Sequence, residues 1–326
     1  MRIHPTLFIT ALVAILFCFA IFHVGAGAID IPVSEVFNAI ASPISEHYFI
    51  VNNFRLPRML ISMLVGASLA LSGLLIQGVI RNPLASPDVL GVTSGASLAV
   101  ILLAVFWPQA PLELIPPTAL LGGFIATAIL LFLARHLLQR PAAFALIGIA
   151  LATIFSAAID YLLTVNPLEI NTSMLWLTGS VWGRNWSHIP LILPWLAVLL
   201  PCAFLLSFKL DILALGDDTA TSLGISVKAL RVITIIVAIS LASAAVSVCG
   251  SIGFVGLVAP HLTRSMIGNR HLLLIPATAL TGAILVVSAD LFARVLMPPI
   301  ELPAGVLTAF IGTPYFIFLL CRYKNW

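Results

Sequence analysis

Asp217 and Asp218 stand side by side in the one sustained polar stretch of an otherwise apolar chain, Lys209 to Arg231. Two carboxylates ahead of Thr219-Ala-Thr-Ser222 mark a helix start, where they complement the N-terminal dipole and can cap free backbone N–H groups. Gly216 and Gly224 supply turns on either side, and Ala220 and Leu223 share one small apolar face at i, i+3. The pattern predicts two short helices with a compact ridge, a place where another protein can push. A second set is basic: Arg55 and Arg58, three residues apart, and Arg294, four residues after Asp290. A guanidinium fork captures carboxylates bidentately. Snorkelling at a membrane interface is the plainer use of the first two, and pairing with Asp290 that of the third.

Bond-breaking chemistry has no such support. None of the three lysines follows a glycine, so the chain holds no G-x-x-x-x-G-K-[ST] phosphate loop. The acidic residues sit mostly in loops and assemble neither a Ser-His-Asp set nor a paired-carboxylate site. Cys18, Cys202, Cys249 and Cys321 lie isolated in or beside apolar segments and the seven histidines are scattered, so no metal site is expected. His261, in Ala259-Pro-His-Leu-Thr-Arg264, reads as a helix-end hydrogen-bonding residue.

The elements that carry these residues are membrane helices. The chain is 61% hydrophobic and 8% charged with a mean hydropathy of +1.16, against about 25% charged residues in soluble domains. A spanning helix needs roughly 20 apolar residues, and about ten such runs are found: 7–26, 57–78, 94–107, 116–135, 142–164, 189–208, 229–249, 252–267, 273–296 and 304–321. A barrel would alternate apolar and polar residues, whereas Ala119–Leu133 is apolar on every face. The runs at 94–107 and 252–267 are short and broken by Pro and Gly, so a simple crossing is not expected of them. Asp160, Asp290 and Arg294 fall toward helix ends, and the lack of a carboxylate near the midplane argues against an ion-coupled carrier.

Basic residues orient the chain. With the N-terminus inside, Arg2, Arg81, Arg135, Arg140, Lys209, Lys228, Arg231, Arg264, Arg270, Arg322 and Lys324 lie inward, 11 of the 15, and Arg55, Arg58, Arg184 and Arg294 outward. Both termini and the 209–231 loop are then cytoplasmic. The net charge of +3 is this bias, and nothing points to nucleic acid. Arg2 and the small residues Val24-Gly-Ala-Gly-Ala28 imitate a signal peptide, but the apolar run is long for one, so an uncleaved first helix is expected.

Pro and Gly interrupt the apolar pattern at 81–91 (Asn82, Pro83, Gly91), at 251–261 (Gly253, Gly256, Pro260) and at 301–305 (Pro303, Gly305). Broken backbone at membrane depth must be buried in protein or line a water-filled path; the bland alternative is a turn, favoured for the third. The first two breaks occupy corresponding places in helices 2–5 and 7–10, which permits an inverted repeat.

Taken together, Arg55-Leu-Pro-Arg58, Gly66-Ala-Ser-Leu-Ala-Leu-Ser-Gly73, Gln77, Asn82-Pro-Leu-Ala-Ser-Pro-Asp-Val-Leu-Gly91, Leu213 to Gly224, Gly253-Phe-Val-Gly-Leu-Val-Ala-Pro-His261 with Arg264, and Glu301-Leu-Pro-Ala-Gly-Val-Leu-Thr308 with Gly312 and Pro314 resemble the iron-siderophore and vitamin B12 permease family of bacterial ABC importers. The resemblance runs nearly end to end. Asp160-Tyr-Leu-Leu163 and Leu175 to Trp186 are similar to its ferric-citrate members.

The resemblance implies an all-α integral membrane fold of about ten helices, that of the vitamin B12 permease and other type II ABC importers, with residues 1–326 as one polytopic domain in the bacterial cytoplasmic (inner) membrane. It implies a second permease subunit of the same family, most simply a different chain, with the passage between the two. Two cytoplasmic ATPase subunits carry ATP and Mg while this chain binds no cofactor, and a periplasmic or lipid-anchored binding protein delivers the iron(III) chelate. Transferred to this chain, the ATPase-coupling residues are Leu215, Gly216, Asp217, Ala220, Thr221, Leu223 and Gly224, and Arg55, Arg58 and Arg294 receive the binding protein. Small and hydroxyl residues on helix 5 and the last helix are expected to line the passage, and the link 139–143 stands where relatives place an inner gate.

Overall fold

The computed structural model describes residues 3–27, 29–137, 140–166, 174, 176–297 and 300–322. Among these the chain is helical and has no strand. In order come α1 (Pro5–Gly25), α2 (Val33–Ala41), α3 (Leu56–Ile80), α4 (Val92–Phe106), α5 (Ile115–Leu133), α6 (Pro141–Val165), α7 (Ile189–Leu213), α8 (Asp217–Ser222), α9 (Val227–Cys249), α10 (Val255–Ile267), α11 (His271–Val295) and α12 (Ala304–Arg322). A turn at Tyr48–Ile50 and a π-turn at Val51–Arg55 run directly into α3.

Among the described residues seven helices are long and apolar enough to cross a bilayer: α1, α3 with its leading turns, α5, α6, α7, α9 and α11. The 15 residues of α4 and the 13 of α10 span only about 22 and 20 Å at 1.5 Å per residue. Neither reaches across about 30 Å of hydrocarbon, so the two short runs begin inside the bundle. The ten apolar runs thus become ten helices, while α2 and α8 lie outside that set.

Small side chains decide which helices are central. Gly66, Ser68, Ala70, Ser72 and Gly73 on α3 and Ala238, Ala242, Ser243, Ala244 and Ala245 on α9 are buried, and these two helices are enclosed nearly all round. A Cβ on Gly66 would strike the backbone of Gly282 in α11, and one on Gly73 the backbone of Gly256 in α10. Lipid gives no hydrophobic reward for helix contact, so close backbone approach over small residues holds membrane helices together. By contrast α1, α6 and α7 keep most of their apolar surface exposed, as helices facing lipid or a partner do. The two halves share an order of long helix, short helix and two longer helices, α3–α6 and α9–α12.

Distant side chains complete helix ends. α7 runs to Leu213, past the expected end at 208, which makes Lys209 and Asp211 helix residues. Asp211 Oδ1 accepts the His271 backbone N–H at 3.0 Å and lies 2.6 Å from His271 Nδ1, so a residue of α7 caps α11.

Candidate functional site

The polar stretch 209–231 forms the end of α7, the six-residue α8 and the first turn of α9. One short helix stands where two were expected, because both long neighbours extend into the segment. Gly216, at φ 127°, makes the turn before α8, and Gly224, at φ 78°, the turn after it. Asp217 is not spent on capping: its Oδ1 accepts Arg231 Nη2 at 3.0 Å and also meets Arg81 Nη2. Ala220 and Leu223 do not share a face. Ala220 is fully buried beneath α8, whereas Leu215 and Leu223 stand 70% and 61% exposed on either side of it. Thr221, exposed, returns its hydroxyl to Asp217 O at 2.8 Å. Two exposed leucines thus stand beside a charged short helix.

Arg81 joins this surface to the first break. It ends α3 in the left-handed region, φ 53° and ψ 33°, a conformation that costs a non-glycine residue roughly 1–2 kcal/mol. Asn82 Oδ1 then accepts the Leu84 N–H at 2.9 Å, Pro83 rules out a continued helix, and turns closed by Leu90 N–H to Pro87 O and Gly91 N–H to Asp88 O lead to α4. The segment climbs back into the bundle. A Cβ on Gly256 would lie 3.1 Å from Pro87 Cδ and 3.0 Å from Leu69 O, halfway along α3. Gly91, at φ 80°, lets the chain pass α6, where its Cβ would come 3.1 Å from Ala152 N. Asp88 consequently lies at mid-bundle depth, facing the Thr93 hydroxyl and the Phe254 N–H, with Oδ1 buried. Its neighbours are the starts of two helices, α4 and α10, whose dipoles favour a negative group.

The second break meets the first there. Gly253 precedes Phe254, at φ 66° and ψ −23°, which opens α10. Arg81 and Phe254 are the two non-glycine residues with positive φ among the described residues, one at each break. Pro260, inside α10, has no N–H for Gly256 O four residues earlier. Gln77 Nε2 of α3 fills the gap, donating to Gly256 O and Leu257 O at 3.5 and 3.4 Å. His261 sits within α10 rather than at its end, 2.7 Å from Tyr315 Oη of α12. The third break is a turn: Leu302 N–H reaches Ala293 O, Val306 N–H reaches Pro303 O, and Gly305 packs on Thr178.

Ser94 and Ser97 of α4, Ser156, Ile159 and Asp160 of α6, Leu177 and Ser251 surround a cavity of about 240 Å³. Elsewhere Thr127, Thr153 and Thr164 return their hydroxyls to the carbonyl four residues back; the serines here face open space. A polar hollow at this depth is water-filled or covered by protein, not lipid. Ser156 of this hollow stands on α6, the fifth of the apolar runs. The remaining hydroxyls come from α4 and the second break, not from the last helix, whose Thr308 instead lines a small apolar hollow with Phe254 and Gly312. Of the link 139–143, Gln139 lies outside the described residues.

Arg55, Arg58 and Arg294 are all buried and all engaged within this chain. Arg58 donates Nε and Nη2 to the two Asp290 oxygens and Nη1 to Glu301 Oε2, each at 2.8 Å. Asp290 also takes His23 Nε2 at 2.8 Å, so its partners are Arg58 and His23 rather than Arg294, one turn away. Arg294 donates to His23 O, while Arg55 donates to Val24 O and Gly25 O at 2.8 and 2.7 Å and to Ile29 O. Sequence reasoning missed His23, Glu301, Gln77 and Asp88 as partners. The i, i+4 spacing of Asp290 and Arg294 pointed to a local pair, and only the bundle brings α1 and α3 to α11.

Comparison with known proteins agrees with this architecture. The chain is 43% identical over 316 residues to the Fe(3+)-citrate import system permease protein YfmE of Bacillus subtilis, covering 97% of this chain and 95% of that one. It is 46% identical over 279 residues to the Fe(3+) dicitrate transport system permease protein FecD of Escherichia coli, covering 86% and 87%. A solved structure described as an inward-facing metal-chelate type ABC transporter superposes with a TM-score of 0.87 at 31% identity, covering 98% of this chain and all of that one. With the model of the FecCD transport family matching residues 12–322, the chain belongs to that family.

Proposed function

We propose that this chain is the transmembrane permease subunit of a binding-protein-dependent ABC importer that carries an iron(III) chelate, ferric citrate, across the bacterial cytoplasmic membrane. The observation that carries the reading is α8, a short charged helix flanked by exposed Leu215 and Leu223 on a family member whose other helices are apolar. ATP and Mg belong to two separate ATPase subunits, one of which seats on α8. Both termini and α8 lie on the cytoplasmic side, the passage runs between this chain and a second permease of the same family, and the hollow at Ser94, Ser97, Ser156 and Asp160 forms part of its outer wall. The ferric-citrate relatives support the choice of chelate.

A binding protein covers the opposite face. Docking through Arg55, Arg58 and Arg294 requires partner carboxylates to replace groups these arginines already hold. Glu301, about a quarter exposed, is the replaceable one on Arg58, whereas Asp290 is sealed.

The test is purification with natural partners followed by reconstitution. The chain should retain an ATPase subunit, and uptake of radiolabelled ferric citrate should require the binding protein and stop with vanadate. Uptake that follows a proton gradient and ignores ATP would overturn the reading.

A further inference from the structure

We propose that the Asp217–Arg81 ion pair passes movement of α8 to the re-entrant segment 82–91 and, through its Pro87–Asp88 end, to Phe254 at the start of α10. Arg81 is thereby a positioning residue for transport. The inference rests on the permease reading above and names the route by which a push on the cytoplasmic helix reaches mid-bundle.

Three observations carry it. Asp217 is the residue of α8 whose side chain ties it to both flanking structures, Arg81 at the end of α3 and Arg231 in the first turns of α9. The remainder of α8 rests on the Cβ of buried Ala220 and on backbone turns, so the carboxylate is its polar anchor. Next, Arg81 occupies a left-handed conformation that its own side chain does not favour, immediately before Asn82 and Pro83. Such a residue persists where its surroundings over-determine it, and here the surroundings include the ion pair. Finally, the far end of the segment is clamped. Pro87 packs on Gly256, Leu90 packs on Gly148 of α6, and Asp88 faces the N–H of Phe254, the other left-handed non-glycine residue. A tightly packed segment gripped at both ends shifts as a body rather than bending. Its α6 neighbours, Gly148 and Ala152, lie about two turns and one turn before Ser156, which lines the polar hollow.

The assembled transporter in lipid vesicles tests this, with three readings: amide hydrogen exchange over residues 82–92 with and without ATP and vanadate, ATP hydrolysis, and uptake of radiolabelled ferric citrate. In the wild type, nucleotide trapping should change exchange in 82–92 by about tenfold at the most responsive amides. Arg81→Gly suits the left-handed backbone while removing the charge, and Asp217→Asn keeps the shape while removing the carboxylate. Arg81→Gly should keep the ATPase bound and hydrolysis within about twofold of wild type, and both variants should lose the nucleotide-dependent exchange and about tenfold in uptake. Arg81→Lys should restore both, the double variant should be no worse than Asp217→Asn alone, and Lys228→Gln, which alters an exposed charge of the same loop, should behave as wild type. A nucleotide response that persists in 82–92 without the pair, its absence in the wild type, or losses that multiply in the double variant would overturn the relay. A wild-type chain that binds no ATPase would overturn the permease reading and the relay with it.

Discussion

Arg58 and Asp290, 232 positions apart in sequence, form a two-pronged pair with both hydrogen bonds at 2.8 Å, sealed between α3 and α11. His23 of α1 leans on the same carboxylate and Glu301 on the same guanidinium. Four separated pieces of chain are therefore held at one end of the bundle by a single charge pair. Breaking such a pair by removing one partner costs about 3–5 kcal/mol, because the other charge stays buried. Asp290→Ala should lower the thermal midpoint of the detergent-purified protein sharply, and Glu301→Gln far less. Equal shifts would show that the sealed pair is not the main tie.

Gln77 answers for the N–H that Pro260 lacks. Gln77→Leu should cost about 1–2 kcal/mol in the parent, where Gly256 O is left unsatisfied. In a Pro260→Ala background α10 regains its own N–H and the same change should cost close to nothing. The comparison is a thermodynamic cycle on unfolding midpoints, and additive losses would reject the pairing.

Gly73 and Gly256 sit backbone against backbone where the two breaks meet. Gly73→Val should prevent assembly of the bundle, seen as loss of monodisperse protein after extraction, because the new side chain would overlap the Gly256 carbonyl. Normal yield and midpoint for Gly73→Val would mean that α3 and α10 are not held this close.

Leu215 and Leu223 are the exposed apolar residues around α8. Leu215→Ser and Leu223→Ser should leave membrane insertion and stability unchanged, and each should weaken ATPase binding by about thirtyfold, near 2 kcal/mol, if both are central to the contact. Affinity measured by pull-down titration in detergent checks it.

Asp160 places a negative group on the hollow between α4 and α6. An anionic chelate at about 4 Å from a carboxylate in water is disfavoured by about 1 kcal/mol, so Asp160→Asn should lower the KM for ferric citrate about fivefold without altering ATP hydrolysis. An unchanged KM would move the passage away from this hollow.

The residues around Asp217 show where reading the sequence stops. Its place at a helix start and the turns at Gly216 and Gly224 were legible, since capping and left-handed turns are local preferences. Its ion pairs were not: Arg81 is 136 residues away, and the carboxylate was free to be imagined on its own helix end. Asp88 went unremarked for the opposite reason. Asn-Pro and Ser-Pro look like surface turn chemistry, and nothing local tells that this turn is carried back between α3, α6 and α10.

Composition and the lengths of the apolar runs determined by themselves that this is a polytopic helical membrane protein broken at three places, because transfer of apolar surface into hydrocarbon is summed along the chain and needs no knowledge of neighbours. The tertiary structure alone decided that Arg55, Arg58 and Arg294 are inward clasps, that Ala220 is buried beside bare Leu223, and that the first two breaks touch. Those outcomes depend on which helices small residues allow to approach, and a charge or a carbonyl finds its partner only once that approach is complete.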